Sequence, residues 1–197
     1  MKVSIMTNRA GRPRNPAIDS ALAIHTLRQL AAQGYAGLSL SGVAHIAGVS
    51  KATLYRRYKS KRALVSAALS TIAVQAPQPK DTGNFESDLL VFARETLRML
   101  RDLNVFPILS ALIVQAEQDP RPLKLLRKYI ILPRRNTIYA LLIRAQKRKQ
   151  ISRELNCDFA VDAIIGSVFA RLNAGLPMDE LWLKRAVRQL VNGWAKK

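Results

Sequence analysis

The sequence predicts an all-α chain of about nine helices, and three observations carry that prediction. Ala and Leu dominate its 197 residues while Gly is sparse, a bias toward helix. No run alternates apolar and polar residues over a useful strand length. Helical apolar patterns recur instead, each set off by a polar cap, a proline or a glycine.

In order, residues 1–15 form a polar, basic arm, and Pro16 suits the first turn of a helix running to about Gln33, where Gly34 stops it. Ser39 caps a second helix over about 40–47, Gly48-Val49 makes a turn, and Ser50 caps a third over about 51–57. Ser60 caps a fourth over about 61–74. The segment APQPKDTGN, residues 76–84, breaks the pattern with two prolines and a glycine and reads as a linker. Helical patterns resume over about 85–102, 105–118, 122–148, 158–173 and 178–194, with Pro133 kinking the third. The domains expected are residues 16–75 and residues 85–197.

Charge narrows the function. The chain carries a net +19, a field that a neutral-substrate enzyme has no use for and a polyanion does. Residues 1–75 hold eleven cations against one acid, Asp19, so no catalytic carboxylate pair fits there. A membrane-surface protein would concentrate its cations on one amphipathic helix, whereas here they are spread over many. No stretch approaches the roughly 20 apolar residues of a membrane span. One cysteine excludes an intramolecular disulfide, and the chain reads as cytoplasmic. His25 and His45 have no partner at metal-ligand spacing, and no phosphate-cradling loop or nucleophile motif appears. The expectation is no cofactor, no metal, no catalytic residue and no membrane association.

The informative stretch is GYAGLSLSGVAHIAGVSKATLYRRYKSKRAL, residues 34–64. Two short helical patterns joined by a Gly-containing turn, the second ending in cations and tyrosines, form a helix-turn-helix that sets one helix in a DNA major groove. Leu40, Val43, Ala44, Ala47, Val49 and Leu54 fit its inner face. Ser41, Lys51, Ala52, Thr53, Tyr55 and Arg56 are left for the DNA side. Tyr55, Arg57, Tyr58 and Lys61 suit phosphate contacts, which position the helix, while base contacts specify sequence. Lys51 matches guanine acceptors, and Thr53 or Ala52 a thymine methyl. Arg12 and Arg14, flanking Pro13, are short and cationic enough for a narrow minor groove.

On GRPR, on residues 34–65, on the proline-rich break and on the helices that follow, the chain resembles the TetR/AcrR family of transcriptional regulators. PRR at Pro133 to Arg135 and the late GLPMD resemble one C-terminal subtype. The resemblance implies a three-helix DNA-binding head and a larger helical domain that dimerises and binds a small-molecule effector. It places DNA contacts at Ser41, Lys51, Ala52, Thr53, Tyr55, Arg57, Tyr58 and Lys61. His25 and Thr26 depart from the small apolar residues usual there.

The resemblance, rather than the apolar pattern, argues for a ligand pocket, with Phe85, Leu89, Phe106, Leu109, Ile113, Tyr129, Tyr139 and Leu142 as candidate lining. The last two helices present small and apolar residues for a homodimer face: Ala163, Ile164, Ser167, Ala170, Leu181, Leu190 and Trp194. A dimer sets two recognition helices on two half-sites, so its double-stranded DNA operator is an approximate palindrome. Nine cations from Lys124 to Lys149, with no acid among them, read as a solvated face, an anionic-ligand site or a non-specific DNA attraction. Cys157 sits before a helix, where a lowered pKa would favour redox sensing. The function expected is a ligand-responsive regulator, usually a repressor, with a charge-driven architectural DNA binder as the alternative.

Overall fold

The computed structural model describes residues 16–74, 76–102 and 105–195, and its described residues are helical with no strand. The head comprises α1 (Pro16–Gly37), α2 (Leu40–Ile46), α3 (Lys51–Arg57) and α4 (Lys61–Val74). Then follow α5 (Phe85–Asp102), α6 (Val105–Gln115) and α7 (Pro120–Leu126). A π turn (Arg127–Ile131) continues α7 into α8 (Leu132–Lys147), and α9 (Cys157–Asn173) and α10 (Glu180–Trp194) close the chain. With α7, the π turn and α8 taken as one continuous helix, the described residues form nine.

Local chemistry sets the boundaries. Gly34 takes φ 71° and ψ 176° inside α1, a break that separates the long helix from one further turn ending at Gly37. Ser39, Ser50 and Ser60 accept main-chain N–H bonds from Gly42, Thr53 and Ala63, so all three serine caps are made. Asp119, Asn156 and Asp179 cap α7, α9 and α10 in the same way.

Pro133 acts one turn upstream of its own position. It lacks an N–H and its ring would strike the carbonyl four residues back, so the helix admits an extra residue. The Leu132 N–H reaches the Arg127 carbonyl, an i→i−5 bond. One inserted residue turns the following helix by about 100°. Leu123 and Leu126, before the π turn, belong to one hydrophobic core; Ile138, Leu141, Leu142 and Ala145, after it, belong to another.

Those two cores do not follow the chain break at residues 76–84. The first joins Leu27, Leu30, Leu54 and Leu69 of the head to Leu109, Leu112 and Leu126. The second holds α5, α8, α9 and α10 together. The break itself is pinned rather than loose. Asp88 is buried and accepts from the Thr82 N–H and hydroxyl, at 3.1 and 2.7 Å. Asp81 pairs with Arg148 at 2.5 Å, which holds its carboxyl below its ordinary pKa, and Gln150 donates to the Gly83 carbonyl.

Candidate nucleic-acid interface and adjoining cavity

The helix-turn-helix is closed from beneath by Leu40, Val43, Ala44 and Leu54, all buried, with Ala47 and Val49 packed partly against them. Gly48 at φ 66° makes the turn between α2 and α3, a conformation that costs an L side chain strain. Gly42 is constrained differently: a Cβ there would lie 2.6 Å from Gln29 Nε2 and 2.9 Å from the capping Ser39 oxygen.

This core leaves one face outward. Lys51, Ala52 and Arg56 are exposed, and Tyr55 keeps 51% of its surface in solvent, much for an aromatic. The Tyr55 hydroxyl lies 3.5 Å from Ser41 Oγ, which brings the starts of α2 and the middle of α3 onto one surface. Thr53 is half-buried, its hydroxyl 2.8 Å from Ser50 Oγ, so its methyl and the Ala52 side chain are the small groups on the face.

Two predicted phosphate contacts have intramolecular work. Arg57 pairs with Asp19 of α1 at 2.8 Å, tying α3 to the helix behind it. The Lys61 ammonium donates to the Ala36 and Tyr35 carbonyls at 2.7 and 3.4 Å, capping the end of α1. Tyr58 is half-buried against the first core. Lys59 and Arg62, which the motif reading passed over, are exposed and have no acidic partner among the described residues. Their position on either side of the Ser60 cap was the available signal. Arg12 and Arg14 lie outside the described residues.

Beyond the head, α5, α6, the π turn, α8 and α9 enclose a cavity of about 180 Å³. Leu89, Phe106, Leu109 and Ile113 of the predicted lining do border it, together with Phe92 and Phe169. Tyr129 borders a smaller neighbour of about 90 Å³ beneath α4 instead. Three other candidates line neither cavity. Phe85 and Leu142 are buried in the second core, away from both cavities, and Tyr139 is 44% exposed on the outer side of α8. The rotation at the π turn decides which α8 positions face inward, and Arg134 and Ile138 are the ones that do.

Sixteen of the eighteen lining residues are apolar, so the two polar ones, Thr96 and Arg134, stand out. Arg134 Nη1 donates to Thr96 Oγ1 at 3.2 Å, and its guanidinium carbon lies 5.4 Å from the Phe92 ring centroid. Burial pulls Arg134 below its ordinary pKa, and no acid among the described residues offsets it.

Comparison with known proteins gives this arrangement a lineage. Residues 25–68 match the family described as "Bacterial regulatory proteins, tetR family", and residues 79–190 match "Tetracyclin repressor-like, C-terminal domain". The chain belongs to the TetR family. An uncharacterized HTH-type transcriptional regulator of Mycobacterium tuberculosis is 31% identical over 173 residues, covering 86% of this chain and 85% of that one. The "DNA-binding transcriptional repressor TetR" of Mycobacteroides abscessus is 29% identical over 178 residues, covering 88% and 92%. The crystal structure of the TetR family transcription regulator SCO0332 superposes with a TM-score of 0.65 at 26% identity, covering 91% and 99%.

As a TetR-family transcriptional regulator with a DNA-binding helix-turn-helix, the chain is not an enzyme. Among its described residues no helix is long and apolar enough to cross a membrane. Of the residues predicted for a dimer face, Ala170 and Leu181 are exposed, and Ala163, Ser167, Leu190 and Trp194 half-buried. Ile164 instead borders the cavity. Exposed Phe159, on the outside of α9, escaped the sequence reading. Cys157 lacks the low-pKa, accessible thiol a redox sensor needs: it is buried, its thiol faces Gln146 Oε1 at 3.2 Å, and burial pushes its pKa up.

Proposed function

We propose that the chain is a cytoplasmic, ligand-responsive repressor that binds a palindromic operator as a homodimer. Residues 16–75 read DNA, residues 85–197 dimerise and hold the effector, and the α9 and α10 surfaces around Ala170 and Leu181 supply the dimer face. Lys51 and the small groups of Ala52 and Thr53 read bases, while Ser41, Tyr55, Arg56, Lys59 and Arg62 hold phosphates. Arg57, Tyr58 and Lys61 orient that surface. Arg12 and Arg14 reach the minor groove.

One observation carries the effector response. α6 borders the cavity through Phe106, Leu109 and Ile113, and at its end Gln115 Nε2 donates to the Ala31 carbonyl of α1. A molecule that favours a different α6 position therefore acts on the head. It releases DNA only by its differential affinity for that state. The repressor named in Mycobacteroides abscessus supports the direction of control.

The test is binding to DNA upstream of the protein's own gene, against scrambled DNA, at two salt concentrations. Specific binding should exceed non-specific binding by roughly 10³-fold or more. Equal binding that salt abolishes, with no preferred site in a genome-wide selection, would favour the charge-driven architectural binder.

A further inference from the structure

The arginines of α8 and its C-terminal cap have different fates. Arg135 pairs with Asp158 and Asp162 of α9, and Arg144 and Arg148 pair with Asp81. Arg134 has no acidic partner among the described residues; it meets the neutral Thr96 hydroxyl and the Phe92 ring. It borders a cavity whose remaining lining is hydrocarbon apart from Thr96. Arg134 is half-buried, and a charge partly withdrawn from water without a counterion is destabilised until it is paired. A guanidinium matches a carboxylate in a two-bonded fork better than any neutral group.

We infer that the cavity takes an amphipathic carboxylate, its head on Arg134 and its apolar part against Phe106, Leu109, Val168 and Phe169. This rests on the effector-responsive reading above and names the chemistry of the effector. The volume of about 180 Å³ bounds its size. Since a cavity of about 150 Å³ holds the six heavy atoms of benzene, this one takes a ligand of at least roughly seven. Arg134 also borders the smaller cavity, which Ile72 and Ala73 of α4 wall on its other side. A head group on Arg134 therefore lies near α4, the last helix of the DNA-binding head.

The probes are octanoate and 1-octanol, equal in length and different in charge, titrated calorimetrically into the full chain. Octanoate binds the wild type about tenfold or more tighter than octanol, as a hydrogen-bonded charge requires. Arg134→Met removes that preference and leaves octanol binding unchanged. Arg134→Lys keeps the charge without the fork and gives an intermediate loss, which covers a methionine variant that folds poorly. Equal affinity for both probes, binding of neither, or full octanoate affinity in both variants overturns the inference. Operator binding is followed in parallel. Octanoate that binds through Arg134 yet leaves operator affinity unchanged upholds the anion site and refutes the effector response. A neutral molecule that releases the operator, with no octanoate binding, does the reverse.

Discussion

The Gln115 side-chain amide donates to the Ala31 main-chain carbonyl at 2.9 Å, in the turn where Gly34 interrupts α1. Carbonyls near a helix break run short of helical partners, and α6 supplies one. Nearby, the Arg121 guanidinium lies 4.7 Å from the centroid of the Tyr35 ring, so α7 grips the same end of α1. Removing the amide costs about 1 kcal/mol, a fall in Tm of roughly 2–4 °C for a chain of this size. Gln115→Ala should show that fall in a thermal melt and should narrow any effector-dependent change in operator affinity. The exposed Gln118→Ala should move neither.

The lysines at positions 51 and 61 should separate in function. Lys51 is exposed at the start of α3, whereas the Lys61 ammonium is held by the Ala36 and Tyr35 carbonyls. In a binding-site selection, Lys51→Ala alters the preferred sequence. Tyr55→Phe weakens all sequences alike. Lys61→Ala lowers the melting temperature, and its salt titration keeps its slope rather than losing the unit of about one that a phosphate contact contributes. A slope reduced by a full unit would return Lys61 to the DNA face.

Thr26 is fully buried and its hydroxyl has no hydrogen-bond partner among the described residues. Valine has nearly the same shape and no hydroxyl to desolvate. Thr26→Val should therefore stabilise the protein by about 1 kcal/mol, seen as a Tm higher by roughly 2–4 °C. A lower Tm would mean that the hydroxyl is satisfied after all.

Cys157 should behave as a core residue. Burial raises its pKa and so suppresses the thiolate, the species that reacts. A maleimide at neutral pH leaves the native protein unlabelled and labels it once denatured. Rapid labelling of the native protein, with loss of operator binding, would restore the redox role.

The helices and the helix-turn-helix were legible because their signals are local. Ser39, Ser50 and Ser60 each cap a helix within three residues, and Gly34 and Gly48 mark their own breaks. The intramolecular partners of Arg57 and Lys61 were not legible, because they are distant in sequence. Asp19 lies 38 residues from Arg57, and Ala36 lies 25 from Lys61. The cavity was half legible. Its α5 and α6 walls follow from apolar periodicity, but the rotation of α8 depends on how Pro133 distorts the turn before it. A kink at Pro133 was readable, but the facing of Arg134 within a run of nine cations was not.

The first hydrophobic core has a consequence for how the molecule is handled. Leu30 and Leu69 of the head lie in the same packed cluster as Leu109, Leu112 and Leu126. A fragment ending at the proline-rich break would expose that leucine surface to water and lose its stabilisation. The DNA-reading segment is thus not a portable module, and intact chain should melt in one cooperative transition. The head and the helices that follow it share the first of the two cores, so a change in one is felt directly by the other.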